Sequence, residues 1–184
     1  MNQLVEKFLY KALGGRNIDK INNLDDLVKL CIRKAYADML TGGRYVNAGL
    51  SELQLLEIQK VFKNNNYVFW RDMIDEVASI ISSEDIISGS GGRYASRYGL
   101  AQKIVNMTYK YFYVFNELLH FPELNGIYSE CDCPLDSIVL KELDYKGTVW
   151  TKVTKKEYKE IQNMISSKVG PNPLGNLLFD FTNW

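Results

Sequence analysis

Histidine and cysteine are scarce in this chain of 184 residues, which has one histidine and three cysteines. Three cysteines are an odd set and argue against a disulfide framework. A zinc site would have to use His120, Cys131 and Cys133, with Asp132 or Cys31 as the fourth ligand, but Cys-x-Cys is not the usual spacing of zinc ligands. A hydrolase triad would also need His120, and the sequence has no nucleophile-elbow pattern. We therefore predict no metal and no cofactor.

Net charge and long apolar runs are also absent. The chain is formally neutral with a pI near 6.6, which argues against a dedicated, strongly basic nucleic-acid binder. No window approaches eighteen apolar residues, so we expect no membrane-spanning helix. The first seven residues are too polar for a signal-peptide core. These features predict a cytoplasmic protein that does not associate with membranes.

What the sequence does contain is helical periodicity. Apolar residues recur every three to four positions through most of the chain, which predicts helices near residues 4–13 and from residue 68 to residue 81 among others, and no alternating run is long enough for a clear strand. Residues 145–153 are the best strand candidate and fit an ordered loop equally well. The pattern predicts an all-α fold of about seven helices in a single domain, residues 1–184. A boundary between two lobes would fall in the Gly/Ser loop near residues 86–93.

Capping signals mark several of these helices. Ser51 with Gln54, and Thr154 with Glu157, have the spacing of capping boxes, in which each side chain satisfies a free amide of the first turn. Asp132 is placed to cap a helix with Pro134 in its first turn. The aromatic tail that contains Phe179, Phe181 and Trp184 has two interpretations: it docks between helices, or it is an exposed peptide that awaits a partner.

The segment 86–116 has a local excess of positive charge, with four basic residues and no acidic one: Arg93, Arg97, Lys103 and Lys110. It starts with a Gly/Ser loop, which lacks the Gly-Lys-Ser/Thr end of a P-loop, and enters the most strongly patterned helix. Lys103, Asn106, Lys110 and Tyr113 share one side of that helix. This polar stripe is either a solvated face or an anion site, with cations on phosphates and Tyr113 stacked on a base.

Two short motifs resemble those of helix–hairpin–helix DNA glycosylases, in particular the compact bacterial proteins similar to 8-oxoguanine glycosylase. The first is Tyr98-Gly99-Leu100-Ala101-Gln102-Lys103 at the start of a long helix, and the second is Cys133-Pro134-Leu135-Asp136 at the start of a later one. The resemblance implies an all-helical fold and base excision. Lys103 would attack the sugar C1′, and Asp136 would stabilise the cationic sugar.

Together these observations predict a nucleic-acid-binding protein. Arg93, Arg97 and Lys110 are the predicted phosphate ligands, Tyr113 is the predicted stacking residue, and Lys103 and Asp136 are the predicted catalytic pair of a glycosylase-like enzyme. The alternative is a non-catalytic helical protein that interacts with a protein partner, such as a regulatory, immunity or phage-related factor.

Overall fold

The architecture comes from a computed structural model, which describes residues 21–43, 50–81 and 96–183, with only the backbone at 41–43. Seven α-helices and no strands occur in these ranges, which confirms the all-α prediction. The helices are α1 (Leu24–Gly43), α2 (Glu52–Asn64), α3 (Met73–Ile80), α4 (Arg97–Leu119), α5 (Ser137–Glu142), α6 (Lys155–Val169) and α7 (Leu177–Asn183). The helix predicted near residues 4–13, the Gly/Ser loop with Arg93, and Trp184 lie outside the described residues.

Helix α4 is the central element of the fold. Of its 23 residues, 17 are buried, and it packs against α1 and α3. Its start contacts a 3-10 turn, Trp150–Lys152, so closely that a Cβ on Gly99 would lie 2.7 Å from the Thr151 carbonyl oxygen. A helix buried on nearly every side belongs to the core of a protein. The polar stripe on α4 is therefore not a solvated face.

The predicted capping boxes are confirmed. The Ser51 side chain accepts a hydrogen bond from the Gln54 amide, and the Gln54 side chain accepts one from the Ser51 amide, at the start of α2. Thr154 and Glu157 make the same reciprocal pair at the start of α6. Local side-chain chemistry of this kind satisfies amides that have no partner within the helix.

Two predicted helix starts are wrong. Asp132 does not cap the helix that follows Pro134: Asp136 is the cap, and it accepts hydrogen bonds from the Ile138 and Val139 amides. The apolar stripe from residue 68 becomes helical only at Met73. Asn66 and Tyr67 both have positive φ, 49° and 62°, because the chain turns there after α2. Periodicity marks the apolar side chains of this turn but not its backbone path.

The aromatic tail docks against the rest of the molecule. Residues 177–183 form α7, in which Phe179 and Phe181 are each 6% exposed and Leu177 is fully buried. This confirms the docked interpretation for the two phenylalanines. The strand candidate 145–153 is an irregular loop with a bend at Gly147, followed by the 3-10 helix Trp150–Lys152. In the described part of the chain, no helix combines the length and the apolar character that crossing a membrane requires.

Candidate functional site

The four predicted cations do not form one exposed surface. Arg97 is exposed in the first turn of α4, whereas Lys103 is 6% exposed and Lys110 is fully buried. Arg93 lies outside the described residues. Each buried lysine is bound to a carboxylate from a later element, so the positive charge of the stripe is neutralised inside the molecule.

Lys103 and Asp136, the predicted catalytic pair, lie in direct contact. The Lys103 Nζ is 2.9 Å from Asp136 Oδ2, and the two side chains are 8% and 18% exposed. The lysine comes from the second turn of α4, and the carboxylate from the residue that precedes α5. An ammonium hydrogen-bonded to a carboxylate is a strong, short-range contact that ties these two elements together.

Asp136 is held by more than this ion pair. Its Oδ1 accepts hydrogen bonds of 2.9 Å from the Ile138 and Val139 amides, while Oδ2 faces Lys103. Burial raises the pKa of Asp136, but the charge of Lys103 and the two amide donors outweigh burial and hold that pKa below its usual range. Asp136 is therefore a carboxylate at neutral pH, fixed in position from both sides.

Lys110 pairs with Asp180 of α7 in the core. The two side chains are 0% and 2% exposed, and the ammonium also lies 5.3 Å from the centre of the Phe181 ring. In this arrangement a phosphate can reach Lys110 only if α7 leaves. The phosphate-binding roles of Lys110 and Arg97 stay predictions.

Tyr113 is half-buried between two aromatic rings. Its ring centre lies 5.3 Å from that of Tyr128 and 5.5 Å from that of Phe181, both in edge-to-face geometry. These contacts occupy the tyrosine within the protein. Its predicted stacking on a base also stays a prediction.

No pattern in the sequence indicated the network of buried polar side chains around residues 131–135, which we call the buried segment. Gln162 of α6 binds the backbone of Cys133 on both sides, donating to its carbonyl oxygen at 2.7 Å and accepting from its amide at 2.9 Å. Gln102 of α4 binds Leu135 in the same two-point manner, at 3.1 and 3.0 Å. Two side-chain amides thus satisfy a backbone that has no helix or strand partner.

Asp132 of the buried segment is the acidic centre of this network. Arg71 donates to both of its oxygens, from Nε at 2.7 Å and Nη2 at 2.9 Å, and the Tyr158 hydroxyl donates at 3.0 Å. Asn106 in turn donates to the Tyr158 hydroxyl at 2.8 Å. Burial raises the pKa of Asp132, and the contacts with Arg71 and Tyr158 offset only part of that rise. No local sequence pattern marks Asp132, because its partners lie far along the chain.

The zinc alternative has no support in the described ranges, where no three His, Cys, Asp or Glu side chains converge on a possible metal position. His120 is exposed and forms the left-handed C-cap of α4, whereas Cys31, Cys131 and Cys133 are buried. Burial raises the pKa of each thiol well above its ordinary value. A buried, protonated thiol is a poor metal ligand and a poor nucleophile.

Comparison of the chain with known protein families, with curated proteins and with solved structures found no match.

Proposed function

We propose that the chain acts on nucleic acid at the Lys103–Asp136 pair, with Lys103 as the nucleophile of a glycosylase-like reaction. One observation supports this above all others. The two residues that the family resemblance selects lie 33 positions apart in the sequence, and their side chains are 2.9 Å apart in the structure. Amine-based base excision requires, at a minimum, a lysine amine beside a fixed carboxylate.

The reaction assigns a separate role to each side chain. The unprotonated Lys103 amine forms a bond to the sugar C1′ as the bond from C1′ to the base breaks, and the base leaves with that electron pair and takes up a proton. Loss of a proton from the attacking nitrogen and opening of the sugar ring then give a Schiff base. Because the pKa of Asp136 is lowered, its carboxylate stays charged and stabilises the positive charge on the sugar.

Lys103 must lose a proton and become accessible before it reacts. In the ion pair the amine is protonated, and a protonated amine has no free electron pair. Because only 8% of the Lys103 side chain is exposed, a substrate reaches Nζ only after neighbouring side chains move. The reaction therefore requires a local opening around the Lys103–Asp136 pair, with Arg97 and Arg93 as phosphate ligands nearby in the sequence.

Borohydride trapping tests the proposal directly. The wild type is incubated with a fluorescent DNA duplex that carries an abasic site, and sodium borohydride then reduces any Schiff base to a stable adduct visible on a denaturing gel. We expect an adduct for the wild type and none for Lys103→Arg, because arginine keeps the positive charge beside Asp136 but does not form a Schiff base. Lys141→Ala, which removes an exposed lysine on α5, is the matched control and should trap normally.

Measuring the affinity for the DNA duplex across a salt series separates binding from catalysis. Weakening of duplex affinity with salt reports the number of phosphate contacts, and Arg97→Ala should make the dependence on salt shallower. An adduct that persists in Lys103→Arg would rule out Lys103 as the nucleophile. No binding even at low salt would reject the nucleic-acid function as a whole.

Interaction with a protein partner stays the alternative, and we do not propose it on this structure. The exposed large apolar side chains in the described ranges are spread over several elements: Leu53 and Leu56 on α2, Val68 and Trp70 in the α2–α3 loop, Ile138 on α5, Val149 just before the 3-10 turn, and Met164 on α6. Scattered apolar side chains are usual on protein surfaces and do not by themselves mark an interface.

A further inference from the structure

A polar pocket of about 420 Å³ lies beside the buried segment. Its walls are the loop 129–132, the C-terminal end of α6 with the following turn, and the side chain of Arg71. This volume lies in the range of small-molecule sites, which run from roughly 300 to 1,000 Å³. The pocket shares no lining residue with the Lys103–Asp136 pair, so it is a second candidate site.

The rim of the pocket is built before any ligand arrives. Asn172 donates to the carbonyl oxygens of Gly170 and Gly175, at 2.9 and 3.1 Å, and accepts from the Leu174 amide at 2.9 Å. Gly175 has φ +55°, and a Cβ there would lie 2.5 Å from the Ser129 carbonyl oxygen. Only glycine allows the two loops to approach this closely. A rim already fixed by its own hydrogen bonds loses little entropy when a ligand binds.

Arg71 is positioned as a clamp at one side of the pocket. Its Nε and Nη2 are tied to Asp132, which is itself held by Tyr158. Within the described ranges its Nη1 makes no hydrogen bond, and the side chain is 37% exposed. Asp132 fixes the orientation of the Arg71 guanidinium, so the outer edge that carries Nη1 has a fixed direction. Such an edge suits recognition of a ligand carboxylate.

The rest of the lining favours positive charge. Glu130 is exposed at the pocket and makes no ion pair within the described part of the chain. The C-terminal end of α6 carries the negative end of the helix dipole. Of the residues that line the pocket at this end, Ser166 and Gly170 have carbonyl oxygens that accept hydrogen bonds from the Gly170 amide and the Asn172 side chain. The charges of Arg71 and Asp132 cancel, so Glu130 gives the pocket lining a net charge of about −1. This net charge disfavours a polyanion, and a simple cation would be repelled by Arg71.

We propose that this pocket binds a small zwitterion of the α-amino-acid type. The carboxylate of the ligand contacts the outer edge of the Arg71 guanidinium, and its ammonium faces Glu130 and the carbonyl oxygens at the end of α6. This binding is separate from the action proposed at Lys103, and either one can fail without the other.

Isothermal titration calorimetry of the full chain with each of the common amino acids tests the proposal, with acetate and methylammonium as half-ligands. We expect at least one amino acid to bind and neither half-ligand to bind at the same concentration. Glu130→Gln, which changes an exposed side chain, should weaken binding about tenfold, as expected for a lost charge-assisted contact. Glu142→Gln, an exposed acid on α5, should leave affinity unchanged.

Arg71→Gln should also weaken binding about tenfold or more. Because this substitution removes the charged partner of Asp132, the fold of the variant is checked by circular dichroism. Binding of acetate as tight as that of the amino acid would overturn the zwitterion proposal in favour of a simple anion site. Failure of every amino acid to bind, or affinity unchanged in Glu130→Gln, would overturn it as well. Lys103→Arg should bind the amino acid like the wild type, which keeps this test independent of the DNA experiments.

Discussion

Asp132 and Asp136 show how strongly position controls the chemistry of one residue type. Both contact a cation, Arg71 in one case and Lys103 in the other. The pKa of Asp132 is raised because burial outweighs its partners, whereas the pKa of Asp136 is lowered because Lys103 and two amide donors outweigh its burial. Desolvation and charge pairing act in opposite directions on a carboxylate, and a separation of four residues reverses the balance.

Asp136→Asn should destabilise the protein at neutral pH by about 1–3 kcal/mol, since asparagine still accepts the two amide hydrogen bonds but loses the charge that pairs with Lys103. A lowered folded-state pKa contributes stability above the unfolded pKa, near 3.9, and that contribution is lost as the pH falls through the folded pKa. Urea denaturation at several pH values should therefore show the two proteins converging below about pH 4.

Glu142→Gln on α5 is the matched control for this experiment, and its stability should follow that of the wild type at every pH. A difference between wild type and Asp136→Asn that does not change with pH would show that the cost comes from packing and not from charge.

Tyr158→Phe tests the buried network at the level of one hydroxyl. The hydroxyl donates to Asp132 and accepts from Asn106, so its removal leaves two buried polar groups short of a partner. We expect a loss of about 1–3 kcal/mol in the free energy of unfolding. Tyr113→Phe is the control, because the Tyr113 ring makes aromatic contacts and its hydroxyl makes no hydrogen bond within the described residues, and it should change stability by less.

At the scale of elements, α7 is joined to α4 by the ion pair between Lys110 and Asp180. Asp180→Leu should cost about 3–5 kcal/mol, because it removes the carboxylate that pairs with an ammonium in the core. The double variant Lys110→Met with Asp180→Leu should recover most of that loss, since apolar residues of similar volume often replace a buried pair without cost. Chemical denaturation of the wild type, both single variants and the double variant measures the coupling.

A double variant as unstable as Asp180→Leu would mean that Lys110 does more than balance Asp180. The single variant Lys110→Met in this set also tests the predicted phosphate role of Lys110. A lysine at a surface phosphate site would tolerate replacement by methionine without loss of stability.

Helix starts that depend on neighbouring residues, such as the boxes at Ser51 and Thr154, were predictable because the donor and acceptor lie within one turn. The burial of Lys110 was not predictable, because periodicity shows which side chains share a face and not which later helix covers it. The contact of Lys103 with Asp136 was anticipated only through the family resemblance, and no local pattern indicates it.

For the whole molecule, the buried segment matters most, because the chain there crosses the interior without forming a helix or a strand. Its backbone is satisfied by glutamine side chains from α4 and α6, so it cannot open unless those helices separate from it. Opening of such a segment requires unfolding on a large scale and not local fraying.

In native-state hydrogen exchange, the amides of Cys133 and Leu135 should therefore be protected nearly as well as the amides in the core of α4, although both residues lie outside helices. Gln162→Ala removes the partner of both backbone groups of Cys133, and the protection of that amide should then fall more than that of Leu135, which Gln102 still holds. Exchange of the Cys133 amide in the wild type as fast as in the exposed bend at Gly147 would contradict this picture. The positions of Asp132 and Asp136 would then not depend on the glutamine contacts.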